Sequence, residues 1–300
     1  MLPKLCLGTA QFGMDYGITN KKGKINQKEI KEIIREASLE NVEYIDTAQA
    51  YGDSEIRLGN TNFLNENFKI INKFSSQGNR KWNKVLVNHW EENLFNSLTK
   101  MKVSNFDSFL IHDYRDLYRK ESDLLLNWML DLKKRSIVKR IGISIYDLET
   151  LNKLPLEYFD VIQIPLSIYD QRFLKSGDIN RLKGEGISIH VRSIFLQGLI
   201  LQDHLKWPNF ISNSFKLHHQ KVSKKLSQNN FSMLEASLSF IYNCSDIESF
   251  LFGVTSIQEF KEIIQIWKSC KERNKKFKDL KINFDWNQTN EIDPRKWDKK

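Results

Sequence analysis

Arg140-Ile141-Gly142-Ile143-Ser144, Val161-Ile162-Gln163-Ile164 and Ile187-Ser188-Ile189-His190-Val191-Arg192 are three short apolar runs rich in β-branched residues, separated by segments of helical period. Branching at Cβ favours the pleated strand over the helix, and the recurrence of strand and helical segment is the pattern of repeated βα units. Reading outward in both directions gives eight candidate strands, at 4–8, 44–46, 69–73, 107–111, 140–144, 161–164, 187–192 and 250–254. Candidate helices fall at 27–40, 54–60, 84–101, 120–135, 148–153, 178–183, 232–243 and 256–271. Their starts carry capping chemistry. Asn26 precedes Gln27-Lys28-Glu29, which puts a carboxylate at the third helical position, and Ser232 stands before Leu234 and Leu238 in a similar way.

Eight β-then-α units in a chain of 300 residues specify the α/β class and, within it, a closed (β/α)8 TIM barrel, in which function gathers on loops at the carboxyl ends of the strands. A doubly wound dinucleotide-binding sheet needs GxGxxG between its first strand and helix. Gly8, Gly13 and Gly17 have the wrong spacing for it, and Gly184 and Gly186 precede a strand instead of following one. No linker rich in Pro, Gly or Ser divides the chain. Residues 1–300 therefore read as one barrel domain with two embellishments, a long connection at 199–231 between strand seven and its helix and a C-terminal extension at about 273–300.

Composition narrows the function classes. A hydrophobic share of 40% and an aromatic share of 12%, with 5 Pro and 13 Gly, supply a core and exclude a disordered chain. No stretch reaches the roughly 18 uncharged apolar residues of a membrane span, and Met1-Leu2-Pro3-Lys4 leads into a strand instead of a signal peptide, so the expectation is a cytoplasmic protein without a membrane partner. Cys6, Cys244 and Cys270 are far apart and read as reduced thiols. The formal charge of +9, from 46 Lys and Arg against 37 Asp and Glu, gathers late in Lys268, Lys271, Arg273, Lys275, Lys276, Lys278 and Lys281. Without interleaved aromatics that run is a solvated helix end and tail, not a nucleic-acid surface. No metal site is expected: His218-His219 is the only adjacent histidine pair, sequence neighbours do not share a helix face, and the two read as a loop pair.

Four residues end or follow candidate strands, where a barrel keeps its active site: Asp46, Tyr51, Lys73 and His112. Asp46 closes strand two, an awkward place for a carboxylate unless it faces the mouth with a cationic partner, and Lys73 at the end of strand three is that partner. A cation beside the Tyr51 phenol lowers its pKa from about 10 and makes it a usable acid or base. His112 ends strand four and can hydrogen-bond the same substrate oxygen. Each has a plain structural role when taken singly, as cap, solvated strand end, rim aromatic or loop histidine. Their coincidence at the mouths of three consecutive strands is what marks a proton-transfer set.

The sequence around these residues resembles the aldo-keto reductase superfamily. Asp46-Thr47-Ala48-Gln49-Ala50-Tyr51-Gly52, followed by Ser54-Glu55 and Leu58-Gly59, is similar to that family's strand-two signature. Ile71-Asn72-Lys73 and Asp107-Ser108-Phe109-Leu110-Ile111-His112 are similar to its lysine and histidine strands, and the resemblance runs from about Leu5 to Lys268. It implies a (β/α)8 barrel, an NADP(H) or NAD(H) cofactor with no metal, a small-molecule carbonyl substrate, a monomer by default, and reduction of an aldehyde or ketone by direct hydride transfer with Tyr51 as general acid. Ser144 and Gln163 would hold the nicotinamide carboxamide, Ser193 and Leu196 would line the pyrophosphate path, and Arg192, Phe195, Gly253, Thr255, Ser256 and Glu259 would complete the cofactor site. A non-catalytic nicotinamide-binding redox sensor on the same fold is the competing class, and the intact tetrad argues against it.

The chain departs from the family pattern at several cofactor positions. Ile145 stands where many members have Asn, Gly253 and Glu259 where well-known members have Lys and Arg, Ile263 where Asn is frequent, and Arg192 where some carry the Tyr that stacks on nicotinamide. A carboxylate beside a 2′-phosphate is repulsive, which brings NADH into play. Candidate substrate-pocket residues are Phe12, Tyr16, His89, Trp90, Tyr114, Tyr169 and Trp207, an aromatic wall that suits sugars and aromatic aldehydes alike. The segments around Leu7 to Ile18 and Ile292 to Trp297 resemble a bacterial branch of the family with some members in surface-polysaccharide or sugar-modification loci, which suggests a sugar-like carbonyl.

Overall fold

The computed structural model describes residues 2–64, 67–75 and 81–297. Eight strands, β1 (Lys4–Gly8), β2 (Tyr44–Asp46), β3 (Lys69–Phe74), β4 (Phe106–Ile111), β5 (Val138–Ser144), β6 (Val161–Pro165), β7 (Ser188–Arg192) and β8 (Ser249–Gly253), each pair in parallel with the next, and β8 closes on β1. Twelve α-helices accompany them among the described residues: α1 (Ala10–Gly13), α2 (Gln27–Leu39), α3 (Ser54–Gly59), α4 (Lys84–Met101), α5 (Ser122–Lys134), α6 (Leu148–Leu151), α7 (Arg172–Lys175), α8 (Asp178–Gly184), α9 (Asn213–Gln228), α10 (Met233–Tyr242), α11 (Ile257–Lys278) and α12 (Thr289–Ile292). This is the (β/α)8 TIM barrel expected from the sequence. None of the described helices is long and apolar enough to cross a membrane.

Both faces of every strand are covered, which is why the strands read as apolar runs instead of an alternation. All six residues of β4 are buried. A small apolar layer fills the barrel interior, made by Cys6, Tyr44, Ile71, Leu110, Val161 and Leu251 from six different strands. A much larger shell lies between strands and helices. In it Phe74 meets Trp90 and Trp128 edge to face, Trp82 meets Trp90 edge to face with centroids 4.9 Å apart, and Trp90 packs tilted on Trp128. The N-caps behave as expected in part. Asn26 accepts the Glu29 N–H at 2.9 Å and donates its Nδ2–H to Glu29 Oε2 at 3.4 Å, while Glu29 Oε1 accepts from Ile257 N–H at 3.0 Å, tying α2 to α11. The full reciprocal box forms at Ser232 and Glu235.

Several element ends differ from the sequence reading by one or two residues, and two differences are larger. The connection 199–231 is not structureless: 3-10 turns at Leu196–Leu201 and His204–Lys206 lead into α9, sixteen residues capped by Ser212. Its buried face, Phe215, His219, Val222 and Leu226, has helical spacing. The polar residues between these positions dilute the hydrophobic signal. His218 and His219 therefore sit on a helix, not in a loop. His219 is buried, with Nδ1 2.7 Å from the Tyr169 hydroxyl and Nε2 3.1 Å from the Gln202 carbonyl. At the other end, α11 runs on to Lys278, because exposed lysines are good helix formers, so the extension begins at Asp279 instead of 273.

That extension folds back across the barrel. Trp286 donates its backbone N–H to the Tyr169 carbonyl and stacks on Phe215 at 4.8 Å, and the Glu291 carboxylate accepts from Ser212 N–H and Trp286 Nε1–H, both at 2.8 Å. Ile292 and Trp297 are buried. The result carries the one-turn helix Pro294–Lys296 to the barrel mouth. The last three residues, Asp298, Lys299 and Lys300, lie outside the described residues.

Candidate active site

Register brings the four proton-transfer candidates together. Asp46 is the last residue of β2 and pairs with Ile71 of β3, which places Lys73 one pleat higher in the neighbouring strand, on the same inward face. Both side chains are almost wholly buried, and the Lys73 ammonium forms an ion pair with Asp46 Oδ1 and donates to the Thr47 carbonyl at 3.0 Å. The second Asp46 oxygen accepts from Gln163 Nε2 at 2.9 Å. A buried charge pair is tolerated only when the remaining lone pairs and protons are met in this way.

Tyr51 sits in the turn after β2, held by its N–H to the Ala48 carbonyl at 2.9 Å and by Ser54 N–H to its own carbonyl at 3.1 Å. Gly13 at the end of α1 lets the β1 loop close on this turn, since a Cβ there would overlap the Tyr51 carbonyl oxygen. The Tyr51 ring lies 5.2 Å from the Lys73 ammonium and meets the His112 ring edge to face at 5.7 Å. His112 follows β4 directly, its N–H donating to the Phe74 carbonyl at 3.3 Å.

Electrostatics reverse one expectation. Burial and then the negative charge of Asp46 push the Tyr51 phenol well above its ordinary value, with Arg192 opposing. The lowering expected from Lys73 does not appear, because that cation faces the ring and is neutralised by Asp46. Tyr51 is therefore a fully protonated phenol at neutral pH. Burial first, then the charges of Lys73 and Arg192, bring the His112 imidazole down to about 3, so it is neutral and presents one N–H and one lone pair.

A cavity of about 370 Å³ opens from Asp46, Tyr51 and His112 and runs along the ends of β5 to β8 toward Thr255 and Glu259. Of the residues put forward as cofactor contacts, Ser144, Gln163, Arg192, Ser193, Phe195, Gly253, Thr255 and Glu259 line it. Leu196 and Ser256 do not. Leu196 is fully buried in the core, and Ser256 is spent as the N-cap of α11, accepting from Glu259 N–H at 3.3 Å. A hydrogen-bond chain crosses the mouth, with Ser144 Oγ donating to Gln163 Oε1 and Arg192 Nε to Ser144 Oγ, both at 3.3 Å. Arg192 also donates to the Ile145 carbonyl at 2.8 Å, and its guanidinium lies 3.7 Å from the Tyr146 ring centroid.

The loop after β7 is strained. Ser193, Leu196, Gln197 and Gly198 all have left-handed φ, of 61°, 44°, 56° and 87°. The turn is tightened by Leu196 N–H donating to the Ser193 carbonyl at 3.0 Å and Gly198 N–H to the Phe195 carbonyl at 2.9 Å, and non-glycine residues adopt such conformations where the surroundings over-determine them. At the far end the Glu259 carboxylate accepts from Thr255 N–H and Thr255 Oγ1–H, both at 2.7 Å, and Glu262 lines the same wall.

Only part of the aromatic wall belongs here. Tyr16 lines the cavity, and Tyr114 lines a shallower hollow that shares His112 and Tyr146 with it. Phe12, Trp90, Tyr169 and Trp207 are corrections: all four are buried in the core, Trp90 against Trp82 and Trp128, Tyr169 and Trp207 against Phe215 and His219. His89 lies on the outward face of α4, paired with Glu92. Large aromatics contribute most to a core, and composition alone does not separate that use from a pocket wall. Tyr146, Arg295 and Lys296 reach the mouth without having been singled out. Tyr146 follows β5 by two residues and was findable from the strand-end rule. The other two arrive only through the folded extension. Among the described residues no cluster of three or more metal-ligating side chains exists.

Residues 4–282 match the model of the aldo/keto reductase family. Solved structures are similar in fold: an aldo-keto reductase of Bacillus halodurans in its holo form, at 17% identity and TM-score 0.71, covers 96% of this chain and 95% of its own. A glycerol dehydrogenase of Gluconobacter oxydans, at 16% and 0.66, covers 92% and 91%, and a putative aldo-keto reductase of Pseudomonas aeruginosa, at 17% and 0.65, covers 90% and 91%. No curated protein matches the sequence. With nearly its whole length matched, the chain belongs to the aldo/keto reductase family, whose general chemistry is nicotinamide-dependent carbonyl reduction.

Proposed function

We propose that this protein reduces an aldehyde or ketone to an alcohol, with Tyr51 as the proton donor, and that it prefers NADH to NADPH. The observation that carries the reading is the protonated Tyr51 phenol set edge to face against neutral His112 above the Lys73–Asp46 pair, at the head of a long cavity. The residues present fit a dinucleotide. The loop 193–198 lines the cavity with the Ser193 and Gln197 side chains, which suit a pyrophosphate, and the polar Ser144 and Gln163 side chains line it together with Tyr51 and suit a carboxamide. The nicotinamide, when bound, supplies the hydride to the carbonyl carbon.

The chain's own residues do the rest. His112 donates an N–H to the carbonyl oxygen and fixes its direction, and as a neutral donor it does so without competing for the proton. Tyr51 Oη gives its proton to that oxygen as negative charge develops there. The charge of Arg192, which opposes the rise in the Tyr51 pKa, favours the tyrosinate left behind, a charge present after proton transfer and absent before it, while Lys73 packs 5.2 Å from the ring centroid and keeps Asp46 paired. Asp46 and Gln163 hold Lys73 in place. Tyr51→Phe is expected to lower kcat for carbonyl reduction by about 10²- to 10⁴-fold while the cofactor Kd stays within about twofold. Normal turnover in that variant overturns the assignment.

The preference for NADH rests on Glu259. Its carboxylate already takes both Thr255 donors and lies with Glu262 at the adenosine end of the cavity, so a 2′-phosphate meets negative charge where it needs N–H and O–H groups. Fluorescence titration with NADH and NADPH at fixed ionic strength is the test. Glu259→Gln is expected to narrow the ratio of the two dissociation constants by about tenfold, and equal affinities in the wild type refute the preference.

A further inference from the structure

We infer that the carbonyl substrate carries an anionic group, a carboxylate or a phosphate, bound in the outer hollow beside His112 by Arg295, Lys296 and Arg115. The inference rests on the reductase reading above and names the substrate class for the same site. The hollow opens off the proton-transfer centre, because His112 and Tyr146 line both it and the deep cavity. Three cations line it, Arg115, Arg295 and Lys296, against two carboxylates, Asp113 and Asp147.

Both carboxylates are committed internally. Asp113 is taken by the Arg115 fork, with Nε–H donating at 2.8 and 3.0 Å, and its carboxyl is held below the usual range by the hydrogen bonds from Arg115, which outweigh the effect of burial. Asp147 caps α6 by accepting from Thr150 N–H and Oγ1–H at 2.8 and 2.7 Å. The two arginines are anchored through their Nε–Nη2 edges, and Arg295 Nη2 also lies 3.7 Å from Asp147 Oδ2. Arg115 uses Nε and Nη2 on Asp113, and Arg295 uses Nε and Nη2 on Asp293, a residue only 3% exposed. In each case no protein acceptor among the described residues takes Nη1, and Lys296 has no carboxylate partner there either.

The Arg295 guanidinium is further fixed by stacking on Tyr146 at 3.5 Å, while Arg192 stacks on the same ring at 3.7 Å. Two guanidinium groups at that height cannot share one face, so Tyr146 is clamped between them. Arg192 likewise hydrogen-bonds only neutral acceptors, two serine hydroxyls and a backbone carbonyl. The rim thus holds guanidinium edges fixed on Asp113 and Asp293 with Nη1 left over, and the charges of Lys296 and Arg192 with no carboxylate ion pair among the described residues, next to the atoms that would polarise a carbonyl. A planar, bidentate anion is what such edges bind.

The test compares matched carbonyl pairs at fixed ionic strength with NADH: 4-formylbenzoate against its methyl ester, and glyceraldehyde 3-phosphate against glyceraldehyde. The expected result is a kcat/KM at least about tenfold higher for the anionic member of one pair, and the pair that shows it separates carboxylate from phosphate. In the Arg295→Gln, Lys296→Gln double variant the ratio is expected to fall toward one through a rise in KM for the anionic member, and Lys296→Arg is expected to retain it. Equal kcat/KM for both members of both pairs, or an unchanged ratio in the double variant, overturns the inference while reduction of the neutral members leaves the reductase reading standing. If the protein binds neither nucleotide and reduces no carbonyl, both fall.

Discussion

The two ends of the barrel are built from similar residues and do opposite things with them. At the base, where the strands begin, Arg140 donates to Asp107 at 2.6 Å and to Glu248 at 2.9 Å, the Tyr44 hydroxyl donates to Glu248, and Lys4 and Lys69 share Glu43 at 2.7 and 2.6 Å. His190 packs edge to face on Tyr44 with Nε2 3.5 Å from Glu248. Every one of these charges is answered by protein. At the mouth Lys73 is paired with Asp46, Arg115 with Asp113 and Arg295 with Asp293, while Tyr51, His112 and Arg192 line the open cavity. Polar groups closed on one another hold strands in register. Polar groups left for a ligand make a site, and their cost is borne by the base and by the core around them.

That contrast breaks most visibly at Tyr51. Replacing it by Phe removes one hydroxyl, leaves the packing against His112 and Lys73 in place, and is expected to remove activity by orders of magnitude with no more than about 1 kcal/mol change in urea-unfolding stability. Arg140→Leu at the base is the mirror experiment. It strands Asp107 and Glu248 partly buried without their cation, and is expected to cost about 3 kcal/mol of unfolding free energy while cofactor affinity of the folded fraction is kept. An Arg140 variant that loses cofactor binding without losing stability would erase the distinction between the two ends.

Acid separates them further. Burial raises the Glu248 carboxyl, but the polar groups of His190, Ser188 and Tyr44 around it, the Tyr44 hydroxyl donating directly, outweigh it and hold the group well below the usual carboxylate range. A depressed folded-state pKa means that stabilisation is present above the unfolded value of about 4.3 and is lost as pH falls below it. The base is thus expected to loosen between about pH 4 and lower values, read as a fall in unfolding free energy that Glu248→Gln flattens. At the mouth, His112 gains charge only near pH 3 and Tyr51 loses its proton only above the ordinary phenol range. Carbonyl reduction is accordingly expected to be nearly flat from about pH 5 to 9 with no histidine inflection, and the reverse alcohol oxidation to rise with pH as the tyrosinate becomes accessible. A bell centred near 6.5 would show that His112 titrates in the working enzyme. The smallest effect is expected at Glu259, where the change to Gln alters the ratio of two affinities and leaves stability and chemistry alone.

Much of this was legible in the chain. The strands were found because apolar runs of five or six residues with β-branching have few other uses, and Asp46, Lys73 and His112 because a charged or polar residue at the end of such a run needs a reason. Ser144 ends β5 and Arg192 ends β7, where the same rule applies, but Gln163 lies within β6, and it was the family resemblance that pointed to all three. The pocket wall was not legible. Trp90 and Trp207 are as aromatic as Tyr16 and Tyr146, and only the direction of the helix or loop that carries them decides between core and cavity. The phenol of Tyr51 was misjudged for a related reason: a neighbouring Lys73 is visible in sequence, but the burial that outweighs it and the Asp46 carboxylate that cancels it are properties of depth and distance.

Local patterning therefore determined the barrel, its order of strands and the four side chains at its mouth, because strand period, caps and strand-end position are set by residues a few places apart. The three-dimensional packing decided which charges are answered and which are left open. The extension from Asp279 shows this most plainly. Trp286 and Trp297 anchor it through contacts more than sixty residues away in the chain, and only those contacts bring Arg295 and Lys296 beside His112. Nothing in the spacing of the extension records its destination, since the surfaces that capture it belong to α9 and to the loops of β5 and β6, and complementarity between distant surfaces is written in space alone.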